Sequence, residues 1–126
     1  MENRLYGFLL NEDIQLDIAN KRLVRYRAET ADHAMLFKVV TLNETQMRLL
    51  LLLMSNEPGA IILKNDIMEK VWKESQSSPS DQRLWYLIKA LRNKLASIGI
   101  SEDFISNAHG IGYFVGNHNV LPIFVG

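Results

Sequence analysis

Between positions 84 and 95 the chain places Leu84, Ile88, Leu91 and Leu95 four, three and four residues apart. At about 100° per residue, that spacing gathers them on one narrow sector of a helix, which a fold must bury. The opposite side receives Gln82, Tyr86, Lys89, Ala90, Asn93 and Ser97, with Arg83 at its margin. From Gln82 to Ser101 there is no acidic residue, although Arg83, Lys89, Arg92 and Lys94 fall within a dozen positions. An anchored rod with a cationic, acid-free back is therefore the strongest single constraint on the fold.

The rest of the chain must supply that anchor. Residues 6–10, 14–17, 22–26 and 36–41 are short, rich in branched or aromatic side chains, and separated by polar breaks, which predicts an antiparallel meander. At Asn43 the pattern changes, and Gln46 stands three residues on, a capping-box spacing that opens a helix. Met47, Leu50, Leu51 and Met54 follow at helical spacing until Pro58 and Gly59 stop it. A short strand near 60–63 precedes a second helix marked by Ile67, Met68, Val71 and Trp72, with Trp72 expected in the core. Residues 73–80 read as a loop, and Gly99 ends the third helix. Residues 105–108 and 112–115 read as two strands joined by a glycine-containing turn at His109 and Gly110. Trp85 lies at the edge of the core stripe and is assigned to packing, while Tyr113 is a candidate anchor for the hairpin.

Composition narrows the function. With 126 residues, 48% hydrophobic and 22% charged, one ordered domain is expected over 1–126, with a sheet at about 5–41, a helical core at about 43–98 and a hairpin at about 104–116. No cysteine is present, so disulfides, thiolate nucleophiles and cysteine-zinc sites are excluded. His33, His109 and His118 lie in separate segments without metal-ligand spacing, and no nucleophile motif or phosphate loop appears, so neither enzyme activity nor a cofactor, metal or small-molecule substrate is expected. The apolar run at 49–54 is too short to span a bilayer and no leader is visible, which points to a cytoplasmic protein or the cytoplasmic part of a membrane-anchored one. Lysine plus arginine equals aspartate plus glutamate at 14 each, so attraction to nucleic acid must come from local charge. A second basic cluster, Lys21, Arg22, Arg25 and Arg27, lies in the first quarter. The end, residues 120–126, is apolar, and either adds a strand or is the edge of something longer.

These features together resemble the OmpR/PhoB-type winged-helix effector domain over about residues 6–116, closest in layout to the ToxR/CadC-type branch. The resemblance rests on Leu42, Asn43 and Gln46 before an apolar helix, Val71-Trp72 closing the second, Leu91, Arg92, Lys94 and Leu95 in the third, and Gly110, Gly112 and Tyr113 in the hairpin. It implies an α+β fold: a winged helix-turn-helix with an N-terminal four-stranded antiparallel sheet, a three-helix core and a C-terminal β-hairpin wing. It implies sequence-specific binding of double-stranded DNA by a bacterial transcription regulator, with the third helix in the major groove and the wing in the minor groove.

The resemblance assigns Gln82, Arg83, Tyr86, Lys89, Ala90, Arg92 and Asn93 to the recognition helix and Asn107 and His109 to the wing. It assigns Glu74, Ser75, Gln76, Ser77 and Ser78 to a loop that contacts RNA polymerase. By side-chain chemistry, Arg83 suits guanine or phosphate, Lys89 phosphate, Gln82 or Asn93 an adenine edge, and Tyr86 a thymine methyl or a phosphate. Arg92 and Lys94 lie off the centre of the face and are assigned to the DNA backbone. Three departures weaken this pattern: His109 where the family commonly has arginine, the short Ala90 side chain, and zero net charge. About four to six phosphate contacts still predict a salt slope of a few units. Tandem or homodimeric binding, common in the family, would add affinity. The alternative is a winged-helix protein-interaction module that has lost DNA binding.

Overall fold

The polar breaks of the first quarter become turns, because Asn11, Glu12 and Lys21 accept the positive φ values, 51°, 73° and 50°, that reverse a strand in few residues. They connect β1 (Arg4–Leu10), β2 (Ile14–Asp17) and β3 (Arg22–Ala28), and β4 (Met35–Thr41) completes the meander. The computed structural model describes residues 4–28, 35–72, 80–116 and 120–126. Alternation along the strands sends Phe8, Leu10, Ile14, Leu16, Leu23 and Val40 to one buried face.

The expected four-stranded sheet has five strands. β8 (Val120–Val125) pairs antiparallel with β1, from Arg4 opposite Val125 to Leu10 opposite Val120, giving the order β4-β3-β2-β1-β8. The apolar tail thus satisfies the backbone groups of what would otherwise be an open sheet edge.

α1 (Glu44–Met54) begins at the predicted capping box. The Gln46 amide donates to Asn43 Oδ1 at 2.8 Å, and the Asn43 amide donates to Gln46 Oε1 at 2.9 Å. β5 (Ile62–Leu63) leads into α2 (Lys64–Val71), and α3 (Asp81–Ser97) starts at Ser80, whose Oγ accepts from the Arg83 amide at 3.1 Å. A short 3-10 turn over Glu102–Phe104 then enters β6 (Ile105–Ala108), and β7 (Gly112–Val115) returns antiparallel to it. β5 pairs with the other edge of β7, so the hairpin is part of a three-stranded sheet in the order β5-β7-β6.

One continuous core joins these parts. Leu84, Ile88, Leu91 and Leu95 are buried as their spacing predicts, among Leu49, Leu50, Ile67, Val71, Phe104 and Tyr113. Each large apolar side chain removed from water this way contributes about 1.5–3 kcal/mol. Trp72, expected inside, is only half-buried at the end of α2, packed on the rim of the core rather than within it. That placement follows from its position as the residue that terminates the helix.

Candidate nucleic-acid interface

α3 is held on three sides and open on the fourth. Its apolar stripe sits in the core, and its two flanks are tied by cations. Along one flank, the Arg92 guanidinium donates to the Ile105 carbonyl through Nε at 3.2 Å and Nη2 at 2.5 Å, fixing the helix to the first strand of the hairpin. Along the other, Lys94 Nζ donates to the Thr41 carbonyl at 2.8 Å, reaching the end of β4. The Arg83 guanidinium carbon lies 4.5 Å from the Trp72 ring centroid, a cation–π contact between α3 and the end of α2.

Between those flanks, Gln82, Tyr86, Lys89, Asn93 and Ser97 are exposed, and Ala90 is half-buried. The sequence therefore placed the open face correctly in space. Three side chains assigned to DNA are engaged within the protein, Lys94 among them through the Thr41 carbonyl. Arg83, assigned to guanine or phosphate, is instead half-buried against Trp72, with Nη1 enclosed and lacking a hydrogen-bond partner among the described residues. Arg92, assigned to the DNA backbone, is engaged with the protein's own backbone. Both lie about 80–100° from the centre of the face, where a long side chain reaches neighbouring elements before it reaches a ligand.

Trp85 corrects a further expectation. Assigned to packing, it is 49% exposed and meets Tyr86, itself 57% exposed, in a T-shaped contact with ring centroids 5.1 Å apart and planes at 73°. Lys89 Nζ lies 5.1 Å from the Trp85 ring centroid. Helical spacing could not decide this residue, because a position on the margin of the stripe can turn either way.

The hairpin stands beside this face as a braced element. Its turn has positive φ at both His109 (50°) and Gly110 (77°), the backbone signature of a type I′ turn. Asn107 Oδ1 accepts from the Gly110 amide at 3.0 Å, so part of this candidate contact residue is used to shape the turn. Asn107 and His109 are exposed, and Tyr113 is buried as the anchor. The Lys64 amide donates to the Ile111 carbonyl at 3.0 Å and joins the turn to α2. The candidate polymerase contacts Glu74, Ser75, Gln76, Ser77 and Ser78 lie outside the described residues, as do His33 and His118.

Charge is sorted by place rather than by amount. In the first-quarter cluster, Lys21 pairs with Glu44, Arg22 with Asp17 and Arg25 with Asp13, at 2.6, 3.3 and 3.0 Å. Those cations are locally neutralised. Among the described residues, none of the four cations of α3 forms an ion pair, and its one acid, Asp81, faces Lys64 at 3.7 Å. A chain of zero net charge thus keeps a positive helix. Among the described residues, no group of three or more His, Cys, Asp or Glu is placed to hold a metal, and no helix is long and apolar enough to cross a membrane.

The family described as "Transcriptional regulatory protein, C terminal" matches residues 38–115, more than half of the chain, from β4 to the last residue of β7. The chain belongs to this family. Its fold recurs in solved structures of this regulator class. The DNA-binding domain of Escherichia coli CadC aligns with a TM-score of 0.68 at 15% identity, covering 97% of this chain and 100% of that one. The DNA-binding domain of the response regulator AdeR, solved in complex with an intercistronic region, aligns at 0.62 and 18% identity, covering 86% and 98%. The DNA-binding domain of Bacillus subtilis CssR aligns at 0.51 and 22% identity, covering 71% and 98%. The regulator domain's β1, β2, β3 and β8 lie outside the family match, whereas the alignment with CadC covers 97% of the chain. No curated protein sequence matches the chain.

Proposed function

We propose that this regulator domain binds double-stranded DNA in a sequence-dependent manner, with the open face of α3 in the major groove and the β6–β7 turn against the adjacent backbone and minor groove. The observation that carries the reading is the exposed, acid-free face of α3, on which Lys89 has no acidic partner among the described residues. A helix about 10–12 Å across fits a major groove about 12 Å wide. Lys89 is assigned to phosphate, Gln82 and Asn93 to base edges, and Tyr86 to a base or a phosphate. Asn107 and His109 are assigned to the wing contact, and Ala90 leaves room for close approach of the helix. Arg83 and Arg92 hold α3 in place from its flanks. The domain works where the chromosome is, in the cytoplasm, and recruits RNA polymerase through residues 74–78. Two copies in tandem or as a homodimer would extend the footprint.

Titration of a selected duplex over a range of salt concentrations tests the reading. Lys89→Ala should weaken binding and lower the slope of log K against log salt by about one, as loss of a phosphate contact requires. Asn93→Ala should cost about 1–3 kcal/mol on the selected site with the slope unchanged. Parental affinity and slope in both variants would overturn the assignment of the face.

A further inference from the structure

The open face of α3 has a composition that selects among base pairs. In the major groove, guanine is read chiefly by the fork of an arginine or by a lysine, adenine by the amide of asparagine or glutamine, and thymine by apolar contact with its methyl group. Both arginines of α3 are occupied elsewhere, Arg83 over Trp72 and Arg92 on the Ile105 carbonyl. The one cation on the open face, Lys89, has its ammonium over the Trp85 ring. What remains is two amides, Gln82 and Asn93, and two large aromatic rings.

From these contacts we infer that α3 selects A·T pairs, with the Trp85–Tyr86 pair packing on thymine methyl groups and Gln82 and Asn93 hydrogen-bonding adenine edges. The inference rests on the proposed placement of α3 in the groove and specifies what is read there. The two rings are set edge to face, and Lys89 lies against one of them, so little rotamer freedom is left to lose on binding. Both residues are about half exposed, so the pair is open to a ligand lying along the helix. Gln82, Trp85, Tyr86, Lys89 and Asn93 follow spacings of three, one, three and four, which keeps them on adjoining rows of one helix side. The eleven residue steps from Gln82 to Asn93 span roughly 16 Å of helix, a length comparable to about five base-pair steps.

The test selects duplexes from a random pool with the 126-residue chain, then rebuilds the selected core with deoxyuridine in place of thymidine, which removes only the C5 methyl. The expected core is rich in A·T over about five base pairs, and each contacted thymidine so replaced should weaken binding about fourfold, the worth of one buried methyl-sized group. The double variant Trp85→Ala/Tyr86→Ala should bind the two duplexes equally. The deoxyuridine comparison uses the unaltered protein, so it stands even if the double variant fails to fold. A core dominated by G·C pairs whose preference disappears in Arg83→Ala, or wild-type binding indifferent to the methyl, would overturn the inference while leaving DNA binding intact. Failure to enrich any duplex would overturn both this inference and the DNA-binding reading beneath it.

Discussion

Asp17 is a buried carboxylate at the end of β2, and its surroundings make it sensitive to acid. The Asn20 side chain donates to it at 2.7 Å, the Asn20 amide at 3.3 Å and Arg22 Nε at 3.3 Å. The Asn20 side chain is the largest influence holding this carboxyl below the ordinary value of 3.8, and burial opposes it. In the unfolded chain the group takes up its proton at a higher pH than in the folded one. Its stabilisation is therefore complete above about pH 4 and is lost as pH falls through the folded value. Urea unfolding between pH 5 and pH 2.5 should show this decline, and Asp17→Asn should make it shallower; an unchanged acid limb in the variant would remove Asp17 from the account.

Single residues also mark where sequence reading stopped. Leu84, Ile88, Leu91 and Leu95 were legible because four apolar positions agree on one direction. Arg83, Trp85 and Arg92 were not, because each sits at the margin of that pattern. Whether a marginal side chain meets Trp72, solvent or the Ile105 carbonyl is decided by elements distant in sequence.

Among the elements, α1 and the hairpin have separable supports. The capping box at Asn43 satisfies amides at both ends of the first helical turn, so Asn43→Ala should lower stability by about 1 kcal/mol. Thermal melts should register this as a drop of roughly 3–6 °C for a domain of this size. The hairpin depends on Arg92 and on Gly112, where a Cβ would run into the Ile62 carbonyl of the neighbouring strand. Arg92→Ala removes two charge-assisted donors from one carbonyl and should cost about 1.5–3 kcal/mol. It should also raise hydrogen exchange in β6 while leaving the salt slope of DNA binding unchanged. A slope lowered by about one would instead make Arg92 a phosphate ligand. The capping box and the glycine turn were readable because their signals are local. The pairing of β8 with β1 was not, since it joins positions more than a hundred residues apart and the tail alone allowed two outcomes.

For the whole molecule, net charge was the least informative number. Balanced totals conceal that Lys21, Arg22 and Arg25 at the sheet face acids, whereas, among the described residues, the cations of α3 form no ion pair. That division arises from folding, which brings Asp13 and Asp17 beside Arg25 and Arg22 and leaves α3 with a single acid at its first position. The fold class and helix order followed from the sequence, whereas the assignment of individual cations needed the packed structure.

The central claim is that the duplex lies against α3 and the β6–β7 turn. A backbone-amide NMR titration with a selected duplex tests it most directly. The largest shift changes should fall in residues 82–93 and 107–111, with β1, β2 and β3 little affected. Changes concentrated on those strands, with α3 unmoved, would contradict it.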